Sequence, residues 1–513
     1  MVGLRLAAAG PAVNAVAEGL NALLDPSIGL CLIIGVLLGT LVGAIPGITA
    51  AMAVALAAGF TLTLDPLQGL SVLLSIYVAA QFGDRVPAIL INTPGTPASI
   101  ATTFDGFPMA KQGRAGIALT SSALVSAVGS VVGICILVFA AQPIASVALE
   151  FGPAEMFALV VFGMTMMIGV SGGRIAKGLF AGILGLLLGT IGRDPITGDG
   201  RFTFGVNELS SGIPFIAAIV GLFGIAEVFN QMISRHPTHI PAPITQLGKW
   251  WPNRSERREL VKPALIGSGV GAVVGVVPAA GGDIAGVVSW DQARRASKTP
   301  EKFGKGSLEG LAAADTASTA TMGGSVTTTL ALGVPGDAVM AVMIGSMVIW
   351  GLQPGPALFV ESPDLVYSIA AIMLLATFAA LALALVRMRG VVKLLDLPQQ
   401  YLWAVIITFC MVGTYAVQNS AFDVGLMLVF GLLGLVMRRN GFPAGPLVLG
   451  LILGPLAESN IRRAFLIDGA ASIYTSGIAV GLLVLSALAI IGPHIRAALR
   501  KGRGTRSKGT IDA

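Results

Sequence analysis

Charge is what this chain has least of: Asp, Glu, Lys and Arg together make up 11% of its 513 residues, less than half the roughly 25% of a soluble domain. Such scarcity excludes an ordinary water-exposed surface. Cysteine and histidine are nearly missing too, at three each. Cys31, Cys135 and Cys410 fall singly inside apolar runs, which gives no disulfide frame. His236, His239 and His494 form no ligand cluster, so no metal site is expected. No Gly-x-x-x-x-Gly-Lys-Ser/Thr loop occurs, so ATP hydrolysis is not built into the chain. Nor is there a His-Asp-Glu cluster or nucleophile–base pair, and no catalytic residue is expected. A cleavable leader is not evident: residues 1–25 carry Arg5 but also Pro11, Asn14 and Glu18, and read as an amphipathic surface segment.

What fills the chain instead is apolar. Hydrophobic residues reach 55%, mean hydropathy is +0.85, and there are 67 glycines, the small residues that let membrane helices approach closely. Uncharged runs long enough to span a bilayer recur, among them Pro66–Gly83, Ala115–Leu149, Thr316–Gly336, Leu365–Val386 and Gly469–Ile495. The reading is an all-α polytopic membrane protein with about a dozen crossings, a count resting on the span length of about 17–25 residues. The net charge of +6 comes from short basic clusters: Lys111 with Arg114, Arg294, Arg295 and Lys298, Arg387 with Arg389 and Lys393, Arg438 with Arg439, Arg462 with Arg463, and the tail after His494. The positive-inside rule puts such clusters, the C-terminus among them, in the cytoplasm. Nucleic-acid binding is not expected.

Two phrases interrupt the apolar runs. One is Asn92-Thr93-Pro94-Gly95-Thr96-Pro97, the other Gly333-Val334-Pro335-Gly336-Asp337. A spanning helix that stops inside the bilayer frees backbone groups with no water to bond, which is tolerated only where they line a cavity or bind something. Earlier in each half lies a further break, Pro46-Gly47 with Thr49 and Pro278 with Gly281-Gly282. Gly43-Ala-Ile-Pro46-Gly47 matches Gly275-Val-Val-Pro278-Ala279 at an offset of 232 residues, and Pro94-Gly95 matches Pro335-Gly336 at 241. Paired breaks in corresponding places point to a secondary transporter built from two inverted halves with broken or re-entrant helices. The expected organisation is an N-terminal segment (1–25), a first transmembrane half (26–233), a polar linker (234–262), a second half (263–466), and a terminal helix with basic tail (467–513).

The first break suits a carboxylate. Thr96 fits an N-cap and Pro97 the first helical position, leaving the N–H groups of Ala98, Ser99 and Ile100 at the positive end of a helix dipole. Asn92 and Thr93 add an amide and a hydroxyl. The plain alternative is a kink between packed helices. Ionisable groups at membrane depth are the other candidates, because burying one unpaired is expensive. Asp283 follows the Pro278 break, and Asp315 shares a helix face with Ser318 and Thr319. These three positions, Asp283, Asp315 and Ser318, are expected to hold a coupling Na+ or carry a coupling H+. Their alternative is a helix cap or an ion pair with Arg294 or Arg295. No other cofactor is expected.

Several stretches resemble the large membrane subunit of the tripartite tricarboxylate transporters, the TctA family. They are Gly39-Thr-Leu-Val-Gly43 with Pro46-Gly47, Ile89 to Ser99, Asp105-Gly-Phe-Pro-Met-Ala-Lys-Gln-Gly113, Phe303 to Gly310, and Gly351-Leu-Gln-Pro-Gly-Pro356. The resemblance runs from about Gly29 to Ile491. It implies a bacterial inner-membrane permease that works with a small membrane subunit and a periplasmic solute-binding protein. It also implies a carboxylate substrate (dicarboxylate, tricarboxylate or aromatic acid) driven by a sodium or proton gradient. Three departures stand out. The family usually has Tyr-Gly-Gly-Ser where this chain has Phe82-Gly83-Asp84-Arg85. Its acidic, double-asparagine stretch is here Ala314-Asp315-Thr316-Ala317-Ser318-Thr319-Ala320. Its second Pro-Gly is usually followed by Ser, here by Asp337. A carboxylate at that helix start would repel an anion unless neutralised by a proton or by Arg85. A stand-alone transporter of the same fold and an integral membrane enzyme are the competing readings, the enzyme disfavoured by the missing catalytic cluster.

Overall fold

The computed structural model describes residues 25–45, 48–170, 175–194, 197–233, 247–278, 281–392, 399–469 and 472–488. Residues 1–24 of the expected surface segment, the Pro46-Gly47 break, residues 234–246 of the linker and the basic tail lie outside them. In chain order the first helices are α1 (Pro26–Ala44), α2 (Ala50–Thr61), α3 (Pro66–Gly83), α4 (Arg85–Ile91), α5 (Ile100–Lys111) and α6 (Ala115–Ala148). Next come α7 (Pro153–Val170), α8 (Ile175–Gly189), α9 (Phe215–Ile233, with a π-helical stretch at Val220–Ile225) and α10 (Arg254–Gly275). The rest are α11 (Gly281–Ala296), α12 (Leu308–Leu332), α13 (Ala338–Ile349), α14 (Pro363–Val392), α15 (Gln399–Gln418), α16 (Ala421–Arg439), α17 (Ala444–Asp468) and α18 (Gly477–Leu488). Among the described residues seven helices are long and apolar enough to cross a membrane, and six shorter apolar helices accompany them. The protein is an all-α polytopic membrane protein.

Local signals start these helices. Asp25 accepts the Ser27 N–H at 2.8 Å ahead of Pro26 at the first helical position. Thr49 accepts from Met52 at 3.2 Å to open α2. Asn253 and Glu256 form a reciprocal capping box, both bonds 2.9 Å, so the second part of the polar stretch expected as linker is already helix.

The chain divides into two units, one formed by residues up to Leu149 with Pro214–Val436, the other by Glu150–Ile213 with the residues from Met437 onward. Unit one holds two helix pairs whose backbones touch through glycine. On α1, a Cβ added to Gly35, Gly39 or Gly43 would lie 2.6, 2.6 and 2.2 Å from the carbonyl oxygens of Val72, Ile76 and Ala80 on α3. On α10, Cβ atoms at Gly267 and Gly271 would lie 2.7 and 2.5 Å from the carbonyls of Ala313 and Ala317 on α12, and one at Gly275 would lie 2.8 Å from Thr321. Spacing of four residues puts each glycine row on one helix face, the small-residue packing that substitutes for hydrophobic drive in lipid. α6 crosses α12 in the same manner at Gly129 and Gly133.

One end of unit one collects basic loops. Asp105 on α5 accepts from the N–H groups of Gly304 (2.8 Å), Gly306 (3.0 Å) and Ser307 (2.7 Å) and from the Trp290 indole (2.7 Å). Gln112 donates to the Lys305 carbonyl at 2.8 Å, and Arg114 pairs with Glu256 at 2.8 Å. Thus α5 ends where α12 begins. Unit two is held by a glycine crossing of α8 and α17 at Gly185 and Gly450. Beside it a small hairpin, Gly192–Arg193 paired with Gly200–Arg201, is tied to α17 by a bidentate Arg201–Glu458 pair (2.7 and 3.0 Å) and by Arg462–Asp194 (2.9 Å).

Candidate substrate and coupling site

The first break is built as a stop and a restart. Asn92 ends α4 in the left-handed region (φ 54°), which its short polar side chain tolerates, and it is exposed. Thr93 hydroxyl donates to the Ile91 carbonyl at 3.2 Å. Gly95 lies where no side chain fits: an added Cβ would be 2.5 Å from the Gly43 carbonyl oxygen and 2.8 Å from the Asp84 Cβ. Thr96 is the N-cap and Pro97 the first helical residue, as expected. The helix start differs in one respect. Its first turn, Pro97–Ser99, is 3₁₀, so the N–H groups of Ser99 and Ile100 are spent on the carbonyls of Thr96 and Pro97. Of the three donors expected at this end, the Ala98 N–H alone is not consumed by that turn. The tight turn arises because the Ser99 hydroxyl donates back to the Thr96 carbonyl at 2.9 Å. The Thr96 hydroxyl itself donates to Asp84.

The second break follows the same plan. Gly333 ends α12 at φ 69°, its N–H on the Thr329 carbonyl at 3.0 Å. Gly336 donates to the Thr329 hydroxyl at 3.2 Å and sits against Ser325, whose Cα would be 2.3 Å from an added Cβ. Asp337 is the N-cap of α13, accepting the Met340 N–H at 2.9 Å, and its other oxygen accepts from the Tyr77 hydroxyl of α3. Arg85 does not neutralise it.

Arg85 is instead the largest fully buried side chain described, 1% exposed. It lies in a cluster with two carboxylates. Its Nη1 is 3.4 Å from Asp84 Oδ1 and its Nε 3.4 Å from Asp315 Oδ1. Its Nη2 donates to the Ser318 hydroxyl at 2.5 Å, and Nη1 to Thr102 at 3.4 Å. Thr102 and Ser122 donate to the two oxygens of Asp315. Asp315 and Ser318 are therefore together, as expected, but a guanidinium occupies them. Thr319 turns inward to the Asp315 carbonyl at 3.0 Å.

Asp283 makes none of these bonds: it stands half-buried in the first turn of α11, where Gly281 takes φ 58° and Gly282 rests on the Ser318 carbonyl. The ion pairs considered with Arg294 or Arg295 are not formed by Asp315, and Arg295 pairs with Asp291 at 2.8 Å. Pro278 is buried in the turn after α10. Tyr77, Thr102 and Ser122 went unremarked in the sequence. Each is a polar residue inside an apolar run, and its partner lies some 190 to 260 positions away.

Both breaks lie inside one all-helical membrane unit, the first above the Asp84–Arg85–Asp315 cluster and the second held by Tyr77 and Thr329. The family model for the tripartite tricarboxylate transporter TctA family matches residues 30–449. The chain belongs to that family. An uncharacterised 52.8 kDa protein of Agrobacterium vitis, from the 3′ region of ttuC′ in TAR-I, is 38% identical over 460 residues, 89% of this chain and 91% of the relative. A second uncharacterised A. vitis protein, from the 3′ region of ttuC′ in TAR-II, is 36% identical over 223 residues, 43% of this chain and 92% of the relative. No solved structure matches. In this TctA-family chain Asp84-Arg85 and Asp337 are the residues around which the polar contacts of the two breaks are organised.

Proposed function

We propose that the protein is the large permease subunit of a binding-protein-dependent, ion-gradient-driven transporter for organic carboxylates. It would work in the bacterial inner membrane, with its C-terminus in the cytoplasm. Its partners would be a small membrane subunit and a periplasmic solute-binding protein. The observation that carries this reading is the matched pair of stop-and-restart breaks, each opening a helix inside unit one. The substrate would meet Asn92 to Pro97 and Ser99 at one break and Gly333 to Asp337 at the other. Asp315, Ser318 and Asp283 belong to the coupling region.

The halves 26–233 and 263–466 are read as inverted repeats with about a dozen crossings, the shorter apolar helices supplying those beyond the seven long ones. Support comes from the two glycine rows. Gly35, Gly39 and Gly43 on Val72, Ile76 and Ala80 reappear as Gly267, Gly271 and Gly275 on Ala313, Ala317 and Thr321, at the same offsets of 232 and 241 residues that relate the breaks. Opposed directions are supported by the meeting of the α5 end with the α12 start.

Replacing Pro94-Gly95 by Ala-Ala removes the stop and puts a Cβ against Gly43 and Asp84. Uptake of labelled citrate, succinate or benzoate by cells carrying the three-part system should fall to background while the protein still accumulates in the membrane. Normal uptake by that variant would contradict the reading. A stand-alone transporter is the remaining alternative; uptake that persists when the binding protein is deleted would select it.

A further inference from the structure

The polar cluster beneath the first break does not balance. Two carboxylates and one guanidinium lie together with Asp84 and Asp315 at 0% exposure and Arg85 at 1%. Asp315 is fully engaged, with a hydroxyl on each oxygen and the Arg85 Nε beside it. Asp84 is not. One of its oxygens accepts from Thr96, and the other, Oδ1, accepts no hydrogen bond and faces Arg85 Nη1 only at 3.4 Å. An excess negative charge in a buried site is unfavourable, and one added positive charge removes it. A metal ion beside Asp84 would have to share its place with the guanidinium. A proton on Oδ1 adds no second cationic centre; it makes the carboxyl neutral and gives the unpartnered oxygen a hydrogen.

Resting on the carboxylate reading given above, we propose that Asp84 is the proton-binding site of this transporter, that Arg85 is a resident cation standing where a coupling sodium would otherwise lie, and that uptake is proton–carboxylate symport independent of sodium. The geometry supplies the coupling. Thr96, which donates to Asp84, is also the N-cap of the helix start that receives the substrate carboxylate. Ionised, Asp84 sets the protein's own negative charge against that helix start. Protonated, it withdraws the charge. Proton and anion therefore raise each other's affinity, and linkage makes the effect reciprocal. The proton enters from water on the uptake side with the substrate and leaves to water on the other.

The other ionisable groups around Asp84 do not relieve the imbalance. Tyr77 and Asp337 satisfy each other two turns back along α3, and Asp283 belongs to the helix packed on the Pro97–Ser99 turn. α14 carries Asp364 and Tyr367 at its start, α1 brings Thr40 and the Gly43 backbone to this level, and α6 brings Ser122.

Two measurements on the full chain in lipid nanodiscs test this. Infrared titration should show, at neutral pH, the carbonyl band of a buried protonated carboxyl that disappears on alkalinisation. It should be lost in Asp84→Asn and kept in Asp283→Asn and Asp337→Asn. A band that survives in Asp84→Asn, or is missing from the parent, overturns the proposal. In equilibrium dialysis with labelled citrate, succinate and benzoate, the affinity of the parent should fall about tenfold per pH unit once Asp84 ionises, as one linked proton requires. Asp84→Asn should lose that slope and bind more tightly than the parent at alkaline pH, and added sodium should change neither. An unchanged slope in Asp84→Asn, or binding that needs sodium, overturns it. If the parent binds none of the three acids, the carboxylate reading fails and the infrared band still decides the proton site. Should Asp84→Asn not accumulate, the Asp283→Asn/Asp337→Asn double variant must retain the band, and its loss there counts against Asp84.

Discussion

The two breaks share a frame and differ in where the carboxylate stands. Gly95 and Gly336 correspond at an offset of 241 residues, and each rests on the helix before it, at Asp84 and Ser325, themselves 241 apart. The next residue in each is the cap, Thr96 and Asp337. At the first break the acid lies beneath and the hydroxyl caps; at the second the hydroxyl lies beneath and the acid caps. Position decides what the acid can do. Asp337 receives a backbone N–H and the Tyr77 hydroxyl, one on each oxygen. Asp84 receives one hydroxyl, and its other oxygen faces the guanidinium at 3.4 Å without accepting a hydrogen bond. The second break is self-contained, whereas the first leaves one buried carboxylate oxygen without a hydrogen bond.

The strongest way to break this comparison is through Arg85. Arg85→Leu leaves Asp84 and Asp315 buried without their cation and should destabilise the protein by about 3–5 kcal/mol, read as a lowered unfolding temperature in detergent. Adding Asp315→Asn should return part of that loss, because it removes one of the stranded charges. An Arg85→Leu variant as stable as the parent would show that the cluster is already neutral without the guanidinium.

Gly95→Ala and Gly336→Ala test whether the frames are equivalent. Each adds a Cβ into contact with backbone, 2.5 Å from the Gly43 oxygen in one and 2.3 Å from the Ser325 Cα in the other. Overpacking of this kind costs roughly 1–3 kcal/mol, and the two variants should lose similar amounts in the same unfolding assay. A large difference would mean that one break yields and the other does not.

Much of this frame was legible in the sequence. Pro94-Gly95 and Pro335-Gly336 announced the stops, Thr96-Pro97 and Asp337 announced the restarts, and the uncharged runs announced a membrane protein. These are local signals, each contained within a few residues. What remained hidden was pairing across distance. Asp84-Arg85 stood out as a charged pair in an apolar run, but nothing local says that Arg85 reaches Asp315 and Ser318 rather than Asp337. That choice is made by the α3–α1 and α10–α12 glycine contacts, which fix helix rotation and thereby which side chains face one another. The 3₁₀ turn at Pro97–Ser99 escaped for the opposite reason: Ser99 signals a cap as readily as a tight turn, and nothing local separates them.

A smaller effect is expected at Tyr77. Tyr77→Phe removes the hydroxyl that donates to Asp337 while the Met340 N–H stays in place, so the loss should be roughly 1 kcal/mol. Thermal unfolding measures it directly. A loss as large as that of Arg85→Leu would erase the distinction between a satisfied and an unsatisfied acid.

Asp337→Ser sharpens the comparison at the least cost in stability. Serine is as good an N-cap as aspartate, so the change should stay within about 1 kcal/mol. It also takes the protein's own negative charge off that helix start. If the substrate spans both breaks, a second substrate carboxylate is then no longer opposed there, and acceptance should widen from monocarboxylates toward succinate and citrate. An uptake panel of benzoate, succinate and citrate reads the shift as a ratio, which does not depend on how much transporter is present. If the ratios match the parent's, Asp337 caps α13 out of reach of the ligand, and the selectivity of this chain resides at the first break alone.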